Sequence, residues 1–150
     1  MLRTPERISQ QDPAAYASQF LERLFLQGDL ASALDSFQFS HPKCRVGALP
    51  CSELPSLQHR AGALAALAPT EDLIPVGMQR ARFEEVVAPS VELLEPAPDK
   101  ALPVTPSPQE KLVRFRDHHR LERFLLLTRA GDTWRVVSIG RADQFGAAGK

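Results

Sequence analysis

The chain has 150 residues, enough to bury a substantial core within one domain. Its 43% hydrophobic and 24% charged content is ordinary globular usage, and 18 basic residues offset 18 acidic ones. That balance excludes a strong global field for nucleic acid or anionic membrane, and no apolar run reaches the roughly 18 residues of a membrane helix. The opening stretch MLRTPERISQQDP holds no secretory-type apolar run, so the expectation is a cytoplasmic protein without nucleic-acid or membrane partners. Cys44 and Cys51 are expected to be reduced there, although a disulfide between them is geometrically feasible in an oxidising setting.

Residues 1–11 read as a polar lead-in. Asp12 is the expected N-cap and Pro13 the first residue of a helix whose apolar face is Tyr16, Ala17, Phe20, Leu21 and Leu24. Gly28 ends it in the left-handed conformation, and Asp29 caps a second helix that turns Leu30, Ala33, Leu34 and Phe37 inward. Pro42, Gly47 and Pro50 make residues 39–50 mostly loop. Ser52 is expected to open a third helix with Leu57, Ala61, Leu64 and Ala68 inside, closed by Pro69; Thr70, Glu71, Asp72 and Pro75 then form a turn.

Residues 82–87 and 91–94 read as two short strand pieces broken at Pro89. Five prolines in residues 96–108 mark an extended loop or lid. The best-marked sheet follows over residues 111–141, with Ala130-Gly131-Asp132 as a hairpin turn before the last strand. Strict alternation in that strand puts Trp134, Val136 and Ser138 on one face and Val137 and Ile139 on the other. Residues 143–150 read as a tail. Helices followed by a mostly antiparallel sheet give an α+β class, as one domain over residues 1–150.

The Gly28-Asp29 elbow between two helices, the third helix before the sheet, and the closing hairpin with Gly131-Asp132-x-Trp134 resemble the NTF2-like superfamily. This is the family of nuclear transport factor 2, SnoaL-type cyclases and ketosteroid isomerases. The resemblance implies a cone-shaped fold, N-terminal helices packed on a curved sheet, and frequent dimerisation through the sheet. Trp134, Val136, Phe124 and Leu126 are the residues expected to supply that homodimer patch. The isomerase branch places a Tyr on the first helix, where this chain has Phe20, and an acidic base after the second helix, where residues 38–47 hold no Asp or Glu. Its proton-transfer chemistry, which needs a base and an oxyanion donor, is not supported in its familiar form.

The most chemical-looking cluster is Asp117, His118 and His119. As one continuous strand it would place Asp117 and His119 together on the inner wall, as an acid–base pair for dehydration, isomerisation or cyclisation; as a hairpin turn it would lie in solvent. Tyr16, Phe20 and Trp134 are candidate ligand contacts at the cone mouth, next to the plainer reading of core aromatics. Arg114, Arg116, Arg120 and Arg123 form a basic stretch suited to a phosphate or an acidic partner, or simply to ion pairs across the sheet. His41, Cys44, Cys51 and His59 lack the tight Cys spacing of zinc sites, so no metal is expected. No Gly-rich phosphate loop, Gly-x-Ser-x-Gly or His-Glu-x-x-His occurs, and no cofactor is expected. The function expected is a module without familiar catalytic residues, binding a small apolar ligand or another protein; the alternative is a small enzyme using Asp117 and His119.

Overall fold

The computed structural model describes residues 12–71, 74–75, 77–97 and 101–148. The lead-in over residues 1–11 lies outside it, as do Asp72 of the expected turn, residues 98–100 of the Pro-rich segment and residues 149–150 of the tail.

Asp12 accepts from the Ala14 N–H at 3.0 Å and starts α1 (Pro13–Leu21), with proline at the position where no N–H is needed. The helix runs on through a π-turn (Glu22–Leu26), so that Phe25 is buried together with the expected Ala17, Phe20, Leu21 and Leu24. Gly28 takes φ 62° and ends it. Asp29 caps α2 (Leu30–Asp35), accepting from the Ser32 N–H at 3.2 Å and from its hydroxyl at 2.7 Å. Gly77, with φ 73°, lies against the end of the π-turn, and the next residue, Met78, donates its N–H to the Phe25 carbonyl at 2.8 Å.

A two-residue strand pair, β1 (Arg45–Val46) and β2 (Leu49–Pro50), precedes a 3₁₀ turn (Cys51–Glu53) and α3 (Leu57–Ala65). Ser56, not Ser52, caps α3: its hydroxyl accepts from the His59 N–H at 3.1 Å. Leu57 therefore stands at the first helical position and is 69% exposed, outside the expected stripe, while Leu64 and Ala68 are buried. A small hairpin pairs β3 (Thr70–Glu71) with β4 (Ile74–Pro75).

Residues 82–87 are helical, not extended. Helix α4 (Arg80–Arg82) passes into a second π-turn (Phe83–Val87) and a 3₁₀ turn (Ala88–Ser90). The reason is the spacing of Phe83, Val86 and Val87, all buried, which recur at a helical and not a two-residue period. The sheet then follows as β5 (Glu92–Leu94), β6 (Glu110–Arg116), β7 (Glu122–Ala130) and β8 (Thr133–Gly140). Six strands stand in the order β2-β1-β8-β7-β6-β5, antiparallel throughout except for the parallel β1–β8 pair. The expected tail forms α5 (Ala142–Ala148), and its Phe145 is buried. Among the described residues no helix is long and apolar enough to cross a membrane.

Both faces of the sheet are covered. The first meets the helices in the main core, where Phe115, Leu125, Leu127, Trp134, Val136 and Ile139 pack with Phe20, Phe25 and Phe37. Phe20 meets Phe37 edge-on at 5.8 Å, and Phe25 meets Phe115 at 5.9 Å. The second face is a smaller cluster of Leu94, Leu112, Phe124, Leu126 and Val137 under Phe145, with Leu102 and Val104 packed against it. Strict alternation in β8 fails because the β7–β8 register shifts between Leu126 and Leu127: Leu126 pairs with Ser138, but Leu127 pairs with Val136. The extra residue, Val137, restarts the pattern, so Trp134, Val136 and Ile139 share the first face and Val137 joins the second.

Candidate functional site

The Asp117–His119 cluster lies at the β6–β7 connection and does not continue the strand. Arg120 turns the chain with φ 64°. The Asp117 side chain is fully buried and receives three donors: the N–H groups of His119 at 2.8 Å and Leu121 at 3.0 Å, and Nε of Arg123 at 2.7 Å. Burial pushes its carboxyl up, but the Leu121 N–H, the Arg123 guanidinium and the His119 N–H together hold it below the ordinary value of 3.8. The carboxylate thus closes the turn, as a side-chain mimic of a backbone acceptor.

It is the backbone of His119 that meets Asp117; its ring is exposed, 4.2 Å from the His118 ring. His118 is half-buried, its Nδ1 is enclosed without a partner among the described residues, and its ring meets Phe25 at 5.6 Å. Burial, and then the neighbouring His119, Arg123 and Arg82, lower its pKa below 6.5.

Of the three expected ligand contacts, Phe20 and Trp134 lie in the main core at 0% and 4% exposure. Tyr16 packs at the core's edge, where its hydroxyl bonds Ser36; burial raises its pKa more than that bond and the nearby Arg135 and Arg23 lower it. The expected dimer patch is divided: Trp134 and Val136 face the helices, while Phe124 and Leu126 lie beneath Phe145, Leu102 and Val104. The basic stretch is largely paired. Arg114 bridges Glu92 and Glu122 across three strands, Arg123 holds Asp117, and Arg116 donates to the Arg120 carbonyl at 3.2 Å.

Cys44 and Cys51 are joined in a disulfide with a Cα–Cα separation of 5.4 Å, which corrects the expectation of free thiols. His59 points outward and shares a 2.6 Å bond with its own cap, Ser56. His41 is drawn into a group that has no mark in the sequence. Its Nδ1 accepts from the Lys43 N–H at 3.0 Å, so its proton sits on Nε2, 3.3 Å from a Glu110 oxygen. The buried Glu110 also receives Lys43 Nζ at 2.8 Å and the Ser107 N–H at 2.9 Å. Burial raises the Glu110 pKa, yet Lys43 and Ser107 outweigh it and hold the group below 4.5. Its donors come from residues near 41 and near 107, so this carboxylate ties the Pro-rich segment to the loop before β1.

Beside that tie lies a cleft of about 560 Å³ on the second face. Leu126, Ser138 and Phe145 line it from the sheet and α5, Leu102, Val104 and Thr105 from the Pro-rich segment, and Lys43, Cys44, Arg45 and Pro50 from the β1–β2 side. Its size falls in the range of about 300–1,000 Å³ usual for small-molecule sites. Comparison with known proteins adds no relative: no family model, no curated protein and no solved structure matches the chain.

Proposed function

We propose that this chain is an NTF2-like binding module, with the curved sheet and cone of that fold, that holds a small apolar ligand against the second face of its sheet. The observation that carries the reading is the cleft floored by Leu126 and Phe145 and walled by Leu102 and Val104. The order of helices and strands supports the family, as does the packing of α1 and α2 on one sheet face. The enzyme reading is weaker, because the Asp117 carboxylate already serves three donors and His119 meets it through its backbone N–H while the residue is exposed. Self-association through the sheet is also weaker, because its expected patch is split and each member is 6% exposed or less.

The test is titration of the full chain with the neutral fluorophore N-phenyl-1-naphthylamine. Saturable blue-shifted emission is expected, weakened at least tenfold by Val104→Asp, which places a charge on the cleft wall without entering the main core. Absence of saturable binding, or unchanged binding by V104D, overturns the reading.

A further inference from the structure

We infer that the ligand of this cleft is an amphipathic monocarboxylate and that Arg45 receives its head group; this rests on the cleft being the binding site. In β1, Val46 is buried in the main core, so its neighbour Arg45 faces the other way, towards the cleft it lines. The two cations of the cleft are not equivalent. Lys43 Nζ is held by Glu110 at 2.8 Å and by the Thr105 carbonyl at 3.4 Å, so its charge is met within the protein. Arg45 has no acidic partner among the described residues.

One of its amino groups, Nη2, donates to the Ala48 carbonyl at 2.7 Å, which keeps the side chain over the β1–β2 turn. Its Nε–H is enclosed and meets no acceptor among the described residues. An enclosed atom is closed to a ligand as well, so the approach is to the outer amino groups, of which Nη1 meets no acceptor among the described residues. The outer Nη1–Nη2 edge of a guanidinium can take a carboxylate with two parallel bonds. One unopposed positive charge matches one negative charge, which favours a carboxylate over a phosphate dianion. The apolar remainder follows from the floor and walls: Leu126, Phe145, Leu102 and Val104 offer hydrocarbon to whatever extends from the head group.

The experiment displaces bound N-phenyl-1-naphthylamine from the full chain with decanoate, 1-decanol or decyl phosphate. Decanoate is expected to compete at least tenfold better than decanol, and better than decyl phosphate. Arg45→Gln should remove the preference over decanol, with Arg45→Lys intermediate because it keeps charge and loses the fork. Thermal unfolding of each variant checks the fold, and R45K carries the test if R45Q unfolds. Equal competition by decanoate and decanol, a preference that R45Q retains, or tighter binding of decyl phosphate overturns the carboxylate assignment and leaves the cleft standing. Failure of both decanoate and decanol to displace the probe overturns the cleft reading itself.

Discussion

On one face of the sheet, β6, β7 and β8 meet α1 and α2 through interlocked aromatic and aliphatic side chains; on the other, the same strands meet single residues from separated segments, Leu102, Val104 and Phe145. The first closure comes from helices whose apolar stripes are periodic and continuous, so each turn adds another contact. The second depends on a polar tie at its rim, Glu110 with Lys43, His41 and Ser107; the Cys44–Cys51 bridge belongs to the main core and borders the cleft through Cys44. A face closed by many small contributions packs solid. A face closed by a few point attachments leaves space between them, and that is where the cleft lies.

The largest expected effect separates the two faces directly. Phe20→Ala should cost about 3–5 kcal/mol, because a fully buried ring leaves a cavity among Phe37 and its neighbours. Phe145→Ala on the second face should cost only about 1–2 kcal/mol, since the thin cover can settle inward. Chemical denaturation of both variants measures the difference; equal losses would break the contrast.

Next comes the buried carboxylate of the β6–β7 turn. Asp117→Ala strands Arg123 and two backbone N–H groups, and should cost about 2–4 kcal/mol near neutral pH. The folded pKa lies below the ordinary 3.8, so on acidification the unfolded chain takes the proton first. The contribution is therefore full above 3.8 and is lost as pH falls through the folded value. Stability measured between pH 6 and pH 3 should fall less steeply for D117A than for the native chain, with the part due to Glu110, depressed from 4.5, still present. A native pH profile that D117A leaves unchanged would remove Asp117 from this role.

A slightly smaller effect than that of Asp117 belongs to the bridge between the main core and the cleft. Replacing both Cys44 and Cys51 with Ser opens a short loop and should cost about 2–3 kcal/mol. Amide exchange should quicken at residues 45–49 and stay slow in β6–β8. Faster exchange through the main core instead would mean the faces are coupled rather than separately closed.

Much of the helix-covered face was legible in the sequence, because its rules are local. Asp12-Pro13, Gly28-Asp29 and the stripe from Ala17 to Leu24 act over one or two turns. Residues 82–87 misled because Val86 and Val87 favour strands by type, although their spacing from Phe83 is helical. The β8 alternation broke at a bulge, which depends on pairing with β7 and leaves no mark in β8 itself. The cleft was the least legible part. Arg45, Leu102, Leu126 and Phe145 lie far apart in the chain, and only the sheet register and the Glu110 tie bring them together. Glu110 carries no sequence signal at all, since its partner Lys43 is 67 residues away.

Gly77 shows a different kind of constraint. A side-chain carbon there would overlap the Leu26 carbonyl oxygen, and the backbone already sits at φ 73°. Both obstacles are made of main chain, so no compensating change in a neighbour's side chain relieves them. As the sequence drifts over time, touching core residues such as Phe20 and Phe37 can trade volume with one another. Position 77 has no such partner and stays fixed for as long as the first helix ends where it does.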